Sequence, residues 1–132
     1  MIFSLLIHSP PSSQASLSAY QFASALLAQK HSLYRVFFYH DGAYHGSAIQ
    51  CVGQDEFDLS KAWHALQQEH SLDLVVCIAA GLKRGIIDSK EAARYDKDQH
   101  NLSDTIELSG LGQLADASAC SDRLISFGGG GG

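Results

Sequence analysis

One stretch, Leu72-Asp-Leu-Val-Val-Cys-Ile-Ala-Ala-Gly-Leu-Lys-Arg-Gly85, constrains the fold more than any other. From Leu72 to Ile78 it is apolar and rich in β-branched residues, with Asp73 as its one polar member. Such a run fits a strand buried on both faces, which is the environment of a parallel sheet. Cys77 stands near its C-terminal end, followed by the small residues Ala79, Ala80 and Gly81, the cations Lys83 and Arg84, and a closing Gly85. Open α/β sheets place their chemistry at the carboxyl ends of their strands. A helical turn opening near Ala79 would point free N–H groups at the sulfur, and with the two cations would stabilise a thiolate or a persulfide anion. The competing reading is that Cys77 simply packs, as most buried free cysteines do.

The rest of the chain alternates strand and helix around this stretch. Ile2 to Ile7 reads as a first strand, stopped by Ser9-Pro-Pro-Ser-Ser13, whose prolines forbid further pairing and whose serines offer an N-cap. Residues recur at helical spacing through Gln14 to Gln29 (Leu17, Tyr20, Ala23 or Ser24, Leu27), with Phe22 and Leu26 widening the apolar face. Leu33 to Tyr39 is an aromatic and β-branched second strand, and the loop His40 to Gly46 leaves its C-terminal end, so it should share a rim with Cys77. Asp55 or Asp58 caps a helix over Leu59 to Glu69 that buries Leu59, Ala62, Trp63 and Leu66. After the third strand, Asp88 and Glu91 have capping-box spacing for a short helix through Tyr95. A short fourth strand over Thr105 to Leu108, a helix from Gln113 to Cys120 and a last strand from Arg123 to Phe127 complete the pattern. The alternation predicts a single-domain, open, mainly parallel α/β sheet of four to five strands with helices on both faces, in a flavodoxin-like layout over residues 1–127. Residues 128–132, all glycine, read as a flexible tail or an artefact outside the fold.

Composition narrows the function. A net charge of −5 and a pI near 5.7 argue against a protein that grips nucleic acid directly. Three widely spaced cysteines, Cys51, Cys77 and Cys120, make neither a disulfide framework nor a CxxC zinc or dithiol motif, and suit a reducing cytoplasm. The apolar N-terminus is short and lacks a basic start, so it reads as a strand and not a signal peptide, and no stretch has the length of a membrane span.

Three familiar sites fit poorly. A cysteine phosphatase needs Cys-x5-Arg, but Lys83 stands where that arginine belongs and Arg84 is one place late. A flavin phosphate cradle after the first strand would lose N–H donors to Pro10 and Pro11. The seven histidines have no metal-ligand spacing and read mainly as solvated, although His40 and His45 could sit on the rim near Cys77 as local proton donors or acceptors. Cys51 and Cys120 read as bystanders. Persulfide transfer asks for less: an accessible thiolate, backbone donors and a partner thiol.

Four stretches together resemble the TusD/DsrE family of sulfur-relay proteins: Val36-Phe-Phe-Tyr39 with Asp41-Gly42, Asp55-Glu-Phe-Asp-Leu59 with Ala62-Trp63, Cys77-Ile-Ala-Ala80 with Arg84-Gly85, and Leu108-Ser-Gly-Leu-Gly112 with Asp122-Arg123. The resemblance implies a cytoplasmic sulfurtransferase subunit, needing no metal or other cofactor, with Cys77 as persulfide acceptor. Ala79, Ala80, Gly81, Lys83 and Arg84 would then stabilise the sulfur or contact a partner. It further implies a dimer of heterotrimers with TusB-like and TusC-like subunits, a TusA-like sulfur donor, a TusE-like acceptor, and 2-thiolation of the tRNA wobble uridine as the destination. A DsrE-type role in sulfur oxidation and a non-catalytic assembly subunit are the alternatives.

Overall fold

The computed structural model describes residues 1–129; the remainder of the glycine tail, 130–132, lies outside the described residues. Five strands, β1 (Ile2–Ile7), β2 (Ser32–Phe38), β3 (Leu74–Cys77), β4 (Ile106–Ser109) and β5 (Arg123–Phe127), form one sheet in the order β4-β3-β2-β1-β5. Every pairing is parallel. The helices are α1 (Gln14–Ala28), α2 (Leu59–His70), α3 (Ile78–Arg84), α4 (Ser89–Arg94) and α5 (Gly112–Cys120), with a 3-10 helix at His40–Gly46. The α/β sheet expected from the alternation is present, with one refinement. The strands advance in one direction from β1 to β4, and the order reverses only when β5 returns beside β1.

Local chemistry explains the element starts. Ser13 caps α1 by accepting from the Ser16 N–H, Asp58 caps α2 through Lys61, and Asp88 caps α4 through Glu91. Thus Asp58, and not Asp55, opens the second helix. The third strand is shorter than its apolar run. Ile78 already belongs to α3, because Cys77 turns the chain and takes the N-cap position. The loop over residues 40–46 winds into a 3-10 helix under a tight constraint: a Cβ at Gly42 would collide with the Ile7 carbonyl oxygen.

The two faces of the sheet are built differently. On one, Leu5, Ile7, Val36, Phe38, Leu74 and Val76 lie buried beneath α1, α2, α3 and the 3-10 helix. Trp63 of α2 meets both Phe38 and Tyr20 of α1 edge-on, at ring separations of 5.9 and 5.3 Å. The other face carries α5. There a bulge leaves Tyr34 unpaired between Leu33 and Arg35, so two consecutive residues reach the same helix. The Tyr34 hydroxyl donates to Asp116 (2.6 Å), while Arg35 donates to Asp116 (2.9 Å), to the Gln113 carbonyl (2.8 Å) and to Asp73 (2.7 Å). Gly128 and Gly129 both have positive φ and lie against Ser9 and His8, so the glycine run begins as ordered chain at the carboxyl ends of β1 and β5.

Candidate functional site

Cys77 is the last residue of β3, paired in register with Ser109 of β4 and followed at once by α3. Its neighbours therefore come from the carboxyl ends of the strands. Extending the printed register by one row brings Tyr39 opposite Cys77, since Phe38 pairs with Val76; Tyr39 is itself extended. On the far side, the Tyr39 N–H donates to the Ile7 carbonyl (2.9 Å) and the His8 N–H donates to the Phe127 carbonyl (3.0 Å). One row thus runs Ser109, Cys77, Tyr39, His8 across the rim. Side chains alternate between faces along a strand, so Cys77, Tyr39 and His8 continue the α5 face of Val75, Phe37 and Leu6.

The thiol is 1% exposed. It makes no hydrogen bond as the N-cap of α3, whose first N–H groups therefore lack a side-chain acceptor. Ala79 is exposed and Ala80 buried. Gly81 serves packing: a Cβ there would stand 2.7 Å from the Ile86 carbonyl oxygen. The two cations do not converge on the sulfur. Arg84, at the far end of α3, donates to Asp41 (3.0 Å) and to the Ala80 carbonyl (3.1 Å), tying this helix to the 3-10 helix. Lys83 is exposed and helps line a cavity of about 790 Å3 with Leu82, Ile87, Tyr95 and Lys97, and Cys77 is not on its wall.

The histidines divide. His40, with φ of +48°, is exposed, and its ring stacks on Tyr39 at 4.1 Å. Its Nδ1 lies 3.0 Å from Nδ1 of His8. Partial burial and the charge of His40 hold His8 below the usual histidine range. His45, expected near the rim or in solvent, is instead enclosed beneath the opposite face, where it stacks on Phe38 at 4.8 Å. Its Nε2 reaches the Ser9 carbonyl and the Ser16 hydroxyl, both at 3.1 Å, while its Nδ1 has no partner among the described residues. A proton on that nitrogen would be buried and unsolvated, and burial accordingly lowers the pKa to about 4. His45 is a neutral core residue.

Tyr39 and His8 escaped the sequence reading. The signal for His8 was its place immediately after the first strand, at the end that also bears Cys77. Cys51 and Cys120 are exposed and distant in the chain from this row, Cys120 resting against Asp116 at 3.6 Å. Among the described residues no cluster of three or more His, Cys, Asp or Glu could hold a metal ion, and no helix is long and apolar enough to cross a membrane.

Comparison with known proteins agrees with this architecture. The model of the DsrE/DsrF-like family matches residues 1–127. The sulfurtransferase TusD homolog of Pseudomonas aeruginosa is 48% identical, the match covering 98% of each chain. DsrE of Allochromatium vinosum is 45% identical over 97% of this chain and 99% of its own. The sulfurtransferase TusD of Photorhabdus laumondii is 43% identical over 95% and 96%. The crystal structure of the ychN protein from E. coli superposes with a TM-score of 0.75, covering 96% of this chain and 97% of that one; at 20% identity this speaks for the fold alone.

Proposed function

The chain belongs to the DsrE/DsrF-like family, and we propose that it is a sulfurtransferase subunit that takes a persulfide sulfur onto Cys77 and passes it to a downstream carrier. One observation carries the reading: in a chain matched end to end by TusD sulfurtransferases, Cys77 occupies the junction of β3 and α3, at the carboxyl rim of the sheet. The chemistry is thiol exchange. The Cys77 thiolate attacks the terminal sulfur of the donor persulfide, the donor's S–S bond breaks, and its own sulfur leaves as a thiolate. The uncapped start of α3 supplies backbone dipoles for the new anionic sulfur. Arg84 holds α3 against the 3-10 helix, and exposed Lys83 is available to a partner.

In this reading the protein works in the cytoplasm with TusB-like and TusC-like subunits, receives sulfur from a TusA-like donor and delivers it to a TusE-like acceptor for 2-thiolation of the tRNA wobble uridine. Identity to DsrE comparable with that to the TusD relatives favours a second destination, sulfur oxidation. Burial of Cys77 favours a third reading, a non-catalytic assembly subunit.

Intact-mass spectrometry after incubation with a persulfide donor separates them. Wild type gains one sulfur, roughly 32 Da, mapped to Cys77, and Cys77→Ser gains none. Uptake only after the other subunits are added means that assembly uncovers the thiol. Retained uptake in Cys77→Ser rules the acceptor assignment out, and no uptake under either condition leaves the assembly role. Loss of 2-thiouridine from tRNA on deletion of the gene, with sulfur oxidation intact, selects the tRNA destination.

A further inference from the structure

We propose that the cavity at the end of α3 receives the acidic Phe57 loop of a second copy of this chain, in a closed two-fold dimer. The inference stands apart from sulfur transfer at Cys77, which is not on this cavity's wall.

The cavity, about 790 Å3, is apolar and basic. Ile49, Leu82, Ile87 and Tyr95 line it together with Lys83 and Lys97, against one carboxylate, Asp98. Both lysines are exposed, and neither forms an ion pair among the described residues. Five of the nine Lys and Arg residues fall between positions 83 and 97, in a chain whose net charge is −5. This is a basic region on an acidic molecule. It is also preformed. The Asn101 side chain accepts from the Ile87 N–H (3.0 Å) and donates to the Gly85 carbonyl (2.9 Å), while its own carbonyl accepts from the Ala48 N–H (2.6 Å). Three segments of chain are fixed around the cavity in this way, so filling it costs little ordering.

The complement stands a few residues along the chain from Ile49. The run Asp55-Glu-Phe-Asp58 presents Phe57, 59% exposed, among carboxylates. Asp58 is occupied as the cap of α2, but Asp55 and Glu56 are exposed and form no ion pair among the described residues. Phe57 rests on Tyr20 of α1, at a ring separation of 5.9 Å, and does not reach the cavity of its own chain. Tyr44 and Phe57 line a smaller hollow of about 360 Å3, and Gln50, Cys51 and Val52 run from it to Ile49 at the cavity. Tyr95, Ile49, Tyr44 and Phe57 are four of the eight large apolar side chains exposed among the described residues. Single exposed apolar residues are ordinary; a strip of four flanked by free charges marks an interface.

Symmetry makes the match reciprocal. Eight residues of chain span at most about 29 Å, so Ile49 and Phe57 lie within one face of a standard interface, roughly 800 Å2 on each partner. A two-fold axis between them sets each loop opposite the other copy's cavity, and the contact is made twice and closes. Phe57 then enters beside Leu82 and Ile87, and Asp55 and Glu56 meet Lys83 and Lys97.

The test measures the mass of the full chain alone by analytical ultracentrifugation, from micromolar to hundreds of micromolar. The wild type is expected to pass from 14.2 kDa to twice that mass as concentration rises, and high salt should weaken the pairing. Phe57→Ser, Lys83→Glu with Lys97→Glu, and Asp55→Lys with Glu56→Lys should each weaken it tenfold or more. The two charge-reversed variants should pair with one another when mixed, because both contacts then join opposite charges. A wild type that stays monomeric overturns the second copy as occupant, and the cavity then belongs to a different partner. Undiminished dimerisation in every variant overturns the proposal by placing the contact elsewhere. Mass that rises beyond the dimer overturns the two-fold closure. Failure of the mixed variants to pair overturns the match between loop and cavity. Should Phe57→Ser unfold through its loss of Tyr20, the charge variants, all at exposed positions, decide alone.

Discussion

The two faces of the sheet divide the labour. The face under α1, α2 and α3 is a conventional core in which Phe38, Trp63, Ile7 and Val76 are buried together with one imidazole, His45. The face under α5 buries Phe37, Val75 and Cys77 and adds a polar fastening. Arg35, Tyr34 and Asp116 hold α5 there by charge-assisted hydrogen bonds, and its rim carries Cys77, Tyr39 and His8. The apolar face packs by dense van der Waals contact, and the α5 face is fastened by charge-assisted hydrogen bonds. The two buried-side and rim-side imidazole environments teach the same lesson. His45 is kept neutral by complete enclosure, whereas His8 and His40 meet each other at a half-open edge.

The comparison can be broken by experiment. Phe38→Ala should cost the most, about 3–5 kcal/mol in urea unfolding, because it empties a closed site between Trp63 and His45. Lowering the pH from 6.5 to 4 should cost about 3 kcal/mol through His45. In that window the unfolded chain binds a proton at His45 that the folded chain refuses. Stability is therefore complete above the unfolded value and declines as the pH falls toward the folded one. Urea midpoints against pH in wild type and His45→Gln check this: the variant should lose that part of the slope. Arg35→Met, on the α5 face, should cost less, about 1–3 kcal/mol, since the stranded partners Asp73 and Asp116 are each more than a third exposed and water can take over. A cost for Arg35→Met equal to that of Phe38→Ala would erase the distinction between the faces.

Much of this was legible in the chain. The order of strands and helices, the caps at Ser13 and Asp88, and the exit of Cys77 into a helix all follow from local pattern. Tertiary structure decided where the candidate cations point. Lys83 and Arg84 are near Cys77 in sequence, but an α-helix rises about 1.5 Å per residue and carries them to the other end of α3. Arg84 then finds Asp41, a partner brought by a neighbouring strand. His45 misled because its neighbours in sequence are polar and turn-forming, while its neighbours in space are Phe38 and the start of α1.

The sequence by itself determined the class of fold and the strand end at which Cys77 emerges, because hydrophobic period and capping residues act over a few neighbouring positions. Only the tertiary structure decided which face that thiol occupies, that Tyr39 and His8 share its row, and that two histidines far apart in the chain meet at 3.0 Å. Those relations depend on the register between strands and on the order in which the sheet assembles them, and neither is written in any local run of residues.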